Sequence, residues 1–316
     1  MKAVILESFG GIENLKIADI ATPKPQPNEV QIQVAYAGVN PLDWKIHEGY
    51  LYELMPHKFP IVLGWDVAGT VTKVGDQVTD FKVGDQVMAL ARKLVINWGT
   101  FAEYVCVNAK DVTLKPTKLS LKEAAAVPLV SLTAWQALVA MSQLQPNESV
   151  LIHAGGGGVG SMAIQIAKHC KAKVFTTVSP QHIDYVKGLG ADVIIDYTTE
   201  NFANKIKEAA PEGIDVVLDT VGDDVLEGSL SVLKPGGRFV SIRQQVDPKV
   251  AARYRANVKF LLVKANGSQL KSIADLFDAG SFVPPHIEEF PLDNFKDALT
   301  KIREGHTQGK IVLYVK

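Results

Sequence analysis

Three glycines, Gly155, Gly157 and Gly160, stand at the spacing G-x-G-x-x-G inside Val150-Leu-Ile-His-Ala-Gly-Gly-Gly-Gly-Val-Gly160. The chemistry this spacing serves is capture of a pyrophosphate by bare backbone. One glycine permits a tight turn, one lets the main chain approach the phosphates, and one lets a helix pack closely on a strand. Gly158, Val159 and Gly160 open that helix, and their N–H groups have no partner within it. They and the positive end of the helix dipole face the anion. An apolar strand precedes the turn and the helical run Ser161-Met-Ala-Ile-Gln-Ile-Ala-Lys168 follows it. A merely flexible glycine loop explains neither flank. An ATP-binding loop is excluded, because Ser161-Met162 stands where that motif needs Lys and then Ser or Thr.

The next strand, Lys173–Val178, ends at Ser179. Sites that prefer NAD carry a carboxylate roughly 20 residues past the turn, on the ribose 2′-hydroxyl. Here Ser179 is followed by Pro180, Gln181 and His182, and the first acid, Asp184, lies a turn into the next helix. A hydroxyl without a competing carboxylate accepts a 2′-phosphate, and His182 would add charge at low pH. NADPH is the expected cofactor. Ser179 reads also as a plain helix N-cap, which is compatible with that role. Tyr197, after the strand Val193–Asp196, is expected to flank the adenosine phosphate or to be a rim aromatic. Ser241 and Ile242 end a later strand, on the carboxyl edge where open α/β sheets bind ligands. His153 reads as a packed core histidine rather than a base.

The elements that position these residues divide the chain of 316 residues into two textures. The first third is β-rich, with short runs at Lys2–Leu6, Glu29–Ala37, Ala68–Val74, Gln86–Leu90 and Ala102–Val107 between Gly, Pro, Asn and Asp turns. Val74-Gly-Asp-Gln-Val78 recurs as Val83-Gly-Asp-Gln-Val87, which reads as consecutive corners of a small barrel. Ser120-Leu-Lys-Glu123 is a capping box opening a helix. Strands then alternate with helices: strands near 149–153, 173–178, 192–196, 214–219, 238–242 and 258–263, helices near 158–169, 181–188, 200–209, 223–233 and 268–279. That is the pattern of a doubly wound parallel sheet, α/β in class. A last helix (Asp293–Arg303) and strand (Lys310–Val315) are expected to return to the β-rich part, and His306 reads as a turn residue.

Composition narrows the class further. Hydrophobic residues make up 47% and charged residues 21%, with a net charge of −1, so no global field recruits nucleic acid or an anionic membrane. Two distant cysteines, Cys106 and Cys170, form no metal-like spacing and no disulfide scaffold. Glu7 interrupts the N-terminal apolar run, which is not a signal-peptide core. No apolar run approaches the roughly 20 residues needed to span a bilayer. A cytoplasmic location is expected.

Several segments together resemble a known family: Asn40-Pro-Leu-Asp-Trp-Lys45, Gly64-Trp-Asp-Val-Ala-Gly69, Gly99-Thr-Phe-Ala-Glu-Tyr104, Pro128-Leu-Val-Ser-Leu-Thr-Ala-Trp135, His153–Gly160 and Gly305-His-Thr-Gln-Gly-Lys310. Their order resembles the medium-chain dehydrogenases/reductases, in the zinc-independent branch of quinone oxidoreductases and enone (alkenal) reductases. The resemblance covers essentially the whole chain. It implies a GroES-like β-barrel domain at 1–121, a Rossmann NADPH-binding domain at 122–266 and a return to the first domain at 267–316. It also implies an active site in the interdomain cleft and a homodimer. Asn40 and Trp65 stand where the zinc branch has a Cys and a His, and neither supplies a thiolate or an imidazole. No metal is expected.

Without a Lewis acid the chemistry that fits is conjugate reduction of a quinone or an α,β-unsaturated carbonyl. The resemblance places Asn40 at an active-site asparagine, although Asn40-Pro41 also reads as a simple turn. Asp43 is expected to orient the nicotinamide ribose or a water, or else to be a helix N-terminal acid. Lys45 is expected near the substrate carbonyl, with a solvated surface lysine as the plainer reading. Thr133 is expected beside the nicotinamide and its phosphates, unless its hydroxyl bonds back to a helix carbonyl. Lys310 is expected either to reach a cofactor phosphate or to be a strand-entry lysine. Loops 43–60 and 92–100, with Trp44, Tyr50, Tyr52 and Trp98, are the candidate pocket walls. A non-catalytic NADPH-binding or redox-sensing protein is the alternative function, and an alcohol dehydrogenase is disfavoured.

Overall fold

The chain folds, in a computed structural model that describes residues 1–305 and 307–316, into two units, Met1–Leu132 with Lys264–Lys316 and Thr133–Val263. The sequence reading of His306 lies outside the described residues. In chain order the first unit begins with β1 (Lys2–Leu6), β2 (Leu15–Asp19), β3 (Glu29–Val39), α1 (Pro41–His47) and β4 (Ile61–Val62). It continues through β5 (Asp66–Val74), β6 (Gln86–Leu90), β7 (Tyr104–Asn108), β8 (Val112–Leu114) and α2 (Leu121–Ala125), and the chain passes from the first unit to the second within α3 (Pro128–Trp135). The second unit holds β9 (Ser149–Ile152), α4 (Gly158–His169), β10 (Lys173–Val178), α5 (Ile183–Gly188) and β11 (Val193–Asp196). After these come α6 (Phe202–Ala209), β12 (Ile214–Asp219), α7 (Asp223–Ser231), β13 (Leu233–Ser241), α8 (Pro248–Arg253) and β14 (Asn257–Phe260). The chain ends with α9 (Gly267–Asp278), β15 (Ile287–Pro291), α10 (Phe295–Glu304) and β16 (Lys310–Tyr314).

The second unit is a six-stranded parallel sheet in the order β11-β10-β9-β12-β13-β14. Its middle strands are apolar on both faces because helices cover both, and Val150, Leu151, Ile152, Val216, Val217 and Leu218 are fully buried. The order reverses between β9 and β12, so the glycine turn after β9 opens at the switch point of a doubly wound sheet.

In the first unit a seven-stranded, mostly antiparallel sheet runs β15-β16-β3-β5-β6-β8, with β7 also paired to β3. Irregularities at Gln31/Ile32 and Val34/Tyr36 let the 11-residue β3 bend, so its first half pairs with β7 and its end with β16. Ile311 thereby lies opposite Val39, at the mouth of α1.

Three features differ from the sequence reading. The two Val-Gly-Asp-Gln-Val copies bracket a single connection, the first closing β5 and the second opening β6, and are not successive corners. Only Gly84 of the second copy takes a positive φ, +95°. The helix α3, and the π-helical turn Gln136–Met141 that continues it, carry no amphipathic signal. Most of residues 128–138 are buried on every side, so a 3.6-residue stripe has no polar face to define it. The strand expected at 258–263 stops at Phe260.

Candidate functional site

At the end of β9 the chain turns through Ala154, held at φ +49°. The Gly155 N–H donates to Thr177 O (3.1 Å) and the Gly157 N–H to Ala154 O (3.0 Å), which ties the turn to β10 and to itself. The three glycines are required for different reasons. A Cβ on Gly155 would sit 2.1 Å from Thr176 Oγ1, and one on Gly160 would sit 2.3 Å from Ala154 O. Both are internal packing constraints. A Cβ on Gly157 would meet only Ala154 O, at an ordinary 3.4 Å. The fold does not need that glycine; space in front of the backbone does. Gly157, Gly158 and Val159 are partly exposed at the start of the 12-residue α4, so the first helical N–H groups are reachable. This cradle fits a dinucleotide pyrophosphate.

Around it, Ser179 heads the short turn Pro180–His182 but makes no side-chain cap bond. The N-cap reading therefore does not account for its hydroxyl. His182 is buried with its ring against Gly156, where an added Cβ would lie 2.8 Å from Cγ. It backs the turn. Tyr197, 48% exposed, follows β11 at the carboxyl edge. Ser241 is buried, and its Oγ donates to Asp219 Oδ2 (2.7 Å) and accepts from the N–H groups of Arg243 and Gln244. Asp219 Oδ1 in turn accepts from Val221 and Gly222 N–H, so the pair shapes the loops after β12 and β13. Ile242 is half-buried beside it, its N–H on Asp219 O. Thr133 is buried in the last turn of α3, directly before the helix widens.

In the first unit Asn40, Asp43, Asp66 and Lys310 form one sealed polar cluster. Asn40 Nδ2 donates to Asp66 Oδ2 (2.9 Å) and Gly38 O (3.4 Å), while its Oδ1 accepts from Lys310 Nζ (2.5 Å). Lys310 Nζ also donates to Val39 O (2.9 Å) and Asp66 Oδ2 (3.3 Å). Asp66 Oδ1 takes the Leu129 N–H at the start of α3 (2.7 Å). Asp43 caps α1, its Oδ2 accepting from Asn40 N–H (2.8 Å), and its Oδ1 holds Gly64 N–H (3.1 Å). Burial pushes the Asp43 carboxyl up to about 7, against the lowering pull of the Asn40 N–H and the Lys310 charge. Burial also raises Asp66, opposed chiefly by Lys310.

This cluster bears on three expectations. The Asn40 amide is hydrogen-bonded inside the fold through both its nitrogen and its oxygen. The Asp43 carboxyl caps α1, each of its oxygens accepting one backbone N–H. Lys310 uses all three ammonium protons on buried acceptors and does not extend to a phosphate. Lys45 differs: it lies in the last turn of α1, only half-buried, with Nζ 5.6 Å from the Trp44 ring centre. Trp65 is buried and carries the Arg92 guanidinium 5.7 Å over its ring. Asp66, a carboxylate inside the apolar run Ile61–Ala68, is the member of the cluster that spacing alone does not single out.

Comparison with known proteins agrees with the fold. Residues 26–117 match the family described as alcohol dehydrogenase GroES-like domain, and residues 189–313 the one described as zinc-binding dehydrogenase. An NADPH-dependent alkenal/one oxidoreductase of Arabidopsis thaliana is 35% identical over 99% of this chain and 79% of its own length. The chain belongs to the medium-chain dehydrogenases/reductases, in the quinone oxidoreductase and alkenal reductase branch. A 2-methylene-furan-3-one reductase of Solanum lycopersicum is 36% identical over the same shares of chain and relative, 99% and 79%. Among solved structures, the Escherichia coli quinone oxidoreductase complexed with NADPH matches with a TM-score of 0.89 at 28% identity, covering 100% of both chains. The branch keeps the two-unit architecture seen here, a GroES-like unit and a parallel dinucleotide-type sheet.

Proposed function

We propose that this protein is an NADPH-dependent oxidoreductase that reduces quinones or α,β-unsaturated carbonyls. The observation that carries the reading is Gly157, where a Cβ would meet only Ala154 O at an ordinary 3.4 Å, in a turn whose Gly155, Gly156 and Gly160 are closely packed. It is supported by the kinship with alkenal/one and quinone oxidoreductases. Residues 122–266 are taken as the NADPH-binding domain, and 1–121 with 267–316 as the domain that recognises substrate.

Gly155, Gly157, Gly158, Val159 and Gly160 would hold the pyrophosphate, and Ser179 the 2′-phosphate. Tyr197 and Ile242 would line the adenosine and the sheet edge, with Thr133 towards the nicotinamide. His182 and Ser241 support those loops from beneath. When bound, the cofactor supplies a hydride to the β-carbon of an enone or to a quinone. Lys45 is assigned to the substrate oxygen, where an ammonium stabilises the negative charge that develops as the double bond is reduced. Asn40, Asp43 and Lys310 position α1 behind it. A proton from water completes the reduction.

Two free thiols and no disulfide suit a reducing compartment, and burial pushes Cys106 up to about 12, an inert thiol. A cytoplasmic homodimer is the reading we adopt. Among the described residues no helix is long and apolar enough to cross a membrane. The test is NADPH oxidation across a panel of quinones, alkenals and cyclic enones, run with and without a chelator. Turnover that survives chelation is expected. Tight NADPH binding with no turnover on any member would replace this reading with a non-catalytic binding protein.

A further inference from the structure

His153 is fully buried at the end of β9, with both ring nitrogens engaged. Nε2 lies 2.8 Å from Ser229 Oγ and Nδ1 lies 3.0 Å from Thr177 Oγ1. The proton positions follow from counting donors. Ser229 Oγ is 2.6 Å from Val225 O, and a carbonyl only accepts, so the single hydroxyl proton of Ser229 points there. Ser229 Oγ must then accept from His153, which puts the ring proton on Nε2. That leaves Nδ1 as an acceptor, and it takes the Thr177 hydroxyl proton. With its proton turned inward, Thr177 Oγ1 presents a lone pair to the Ala154 N–H, 3.2 Å away. Ala154 is the residue at φ +49° from which the glycine turn starts, and Thr177 O holds the next N–H, Gly155, at 3.1 Å.

We propose that His153 is a positioning residue of the dinucleotide turn: neutral and protonated at Nε2, it orients the Thr177 hydroxyl so that Thr177 fixes Ala154 in its left-handed conformation. The relay runs Val225–Ser229–His153–Thr177–Ala154, so it joins α7 to the turn through one imidazole. Burial, opposed by the nearby Asp219 charge, pushes the imidazole down to about 4, which keeps it neutral near neutral pH. The consequence for NADPH rests on the function proposed above; the proton arrangement does not.

The first measurement is the His153 tautomer in the intact wild-type protein, from long-range proton–nitrogen NMR correlations. The Nε2–H form is expected, and an Nδ1–H form overturns the proposal. The second is a pair of variants. His153→Asn keeps an acceptor where Nδ1 stood, and His153→Gln keeps a donor towards Ser229 but offers Thr177 no acceptor at Nδ1. Gln is expected to weaken NADPH binding about tenfold, the worth of one net hydrogen bond, and to speed Ala154 amide exchange. Asn should stay within about threefold of wild type on both readouts. Equal losses in the two variants would reduce His153 to packing and sink the relay. If the wild type binds no NADPH, the function reading fails, while the tautomer and the Ala154 exchange still decide the role of His153.

Discussion

Lys310 and Asp66 form an ion pair at 3.3 Å with 3% and 0% of their side chains exposed, joining β16 to the start of β5 across 244 residues of chain. Its surroundings satisfy the other partners, Asn40 on one side and the Leu129 N–H on the other. Breaking such a pair from one side leaves a buried carboxylate uncompensated, at a cost of about 3–5 kcal/mol. Lys310→Met is expected to lower unfolding stability by that amount in urea titrations. Adding Asp66→Asn to it should recover part of the loss, since the stranded charge is then gone. A single variant as stable as wild type would show that the pair does not hold β16.

The Asp43 carboxyl carries a pH dependence of defined sign. It titrates near 3.8 when exposed and is pushed up to about 7 by burial in the fold. Between those values the native state holds a proton that the unfolded chain has released, so stability falls as pH rises through the window. Burial raises Asp66 too, and it acts in the same direction. His153 acts oppositely: its ordinary 6.5 is lowered to about 4, so its contribution is lost as pH falls through that range. The two oppose each other up to about pH 7, where the unfolded His153 still titrates. From about pH 6 to 7.5 the Asp43 term costs about 1 kcal/mol, of which His153 returns a part. Asp43→Asn should flatten that slope, whatever its effect on absolute stability; an unchanged slope in chemical denaturation at the two pH values would assign it elsewhere.

Which parts of this molecule the sequence makes legible follows from where each signal resides. The glycine turn and the β–α alternation are local, because spacing and period are properties of neighbouring residues, and they lead directly to the parallel sheet. The role of Asn40 is not local. Its residue type suits a site, but what it does depends on Lys310, 270 residues further on, which β16 carries alongside β3. Spacing along the chain contains no trace of that encounter. The α3 segment is hidden for another reason: a helix buried on all sides writes no polar stripe.

The 2′-phosphate assignment rests on Ser179, whose hydroxyl makes no cap bond and stands at the end of β10. Ser179→Asp should turn the preference towards NADH by placing a carboxylate where the phosphate would sit, as NAD-preferring sites do. The ratio of kcat/KM for NADPH to that for NADH measures it. An unchanged ratio would remove Ser179 from the site.

Of Asn40, Asp43 and Lys45, Lys45 is the one that is not sealed in the fold. Replacing a single donor to developing oxyanion charge lowers turnover by at least about tenfold. Lys45→Ala should show that loss in kcat for enones, with a smaller effect on NADPH affinity. Equal rates for variant and wild type would make the lysine a bystander.

The glycines offer the sharpest separation of folding from binding. Gly160→Ala puts a Cβ 2.3 Å from Ala154 O and 2.7 Å from the Gly155 Cα, both backbone atoms that cannot step aside. The turn must distort, so thermal stability and NADPH affinity should fall together, by about 1–3 kcal/mol for an overpacked position. Gly157→Ala meets only Ala154 O at 3.4 Å and has φ −80°, which alanine adopts freely. Its methyl costs the apo protein nothing in packing, but it occupies the space in which a pyrophosphate would touch the main chain. The melting temperature should therefore stay near wild type while NADPH binding, followed by fluorescence titration, weakens at least about tenfold, or about 1.4 kcal/mol. A Gly157→Ala protein that binds NADPH as wild type does would mean that the phosphates lie elsewhere, and with them the cofactor.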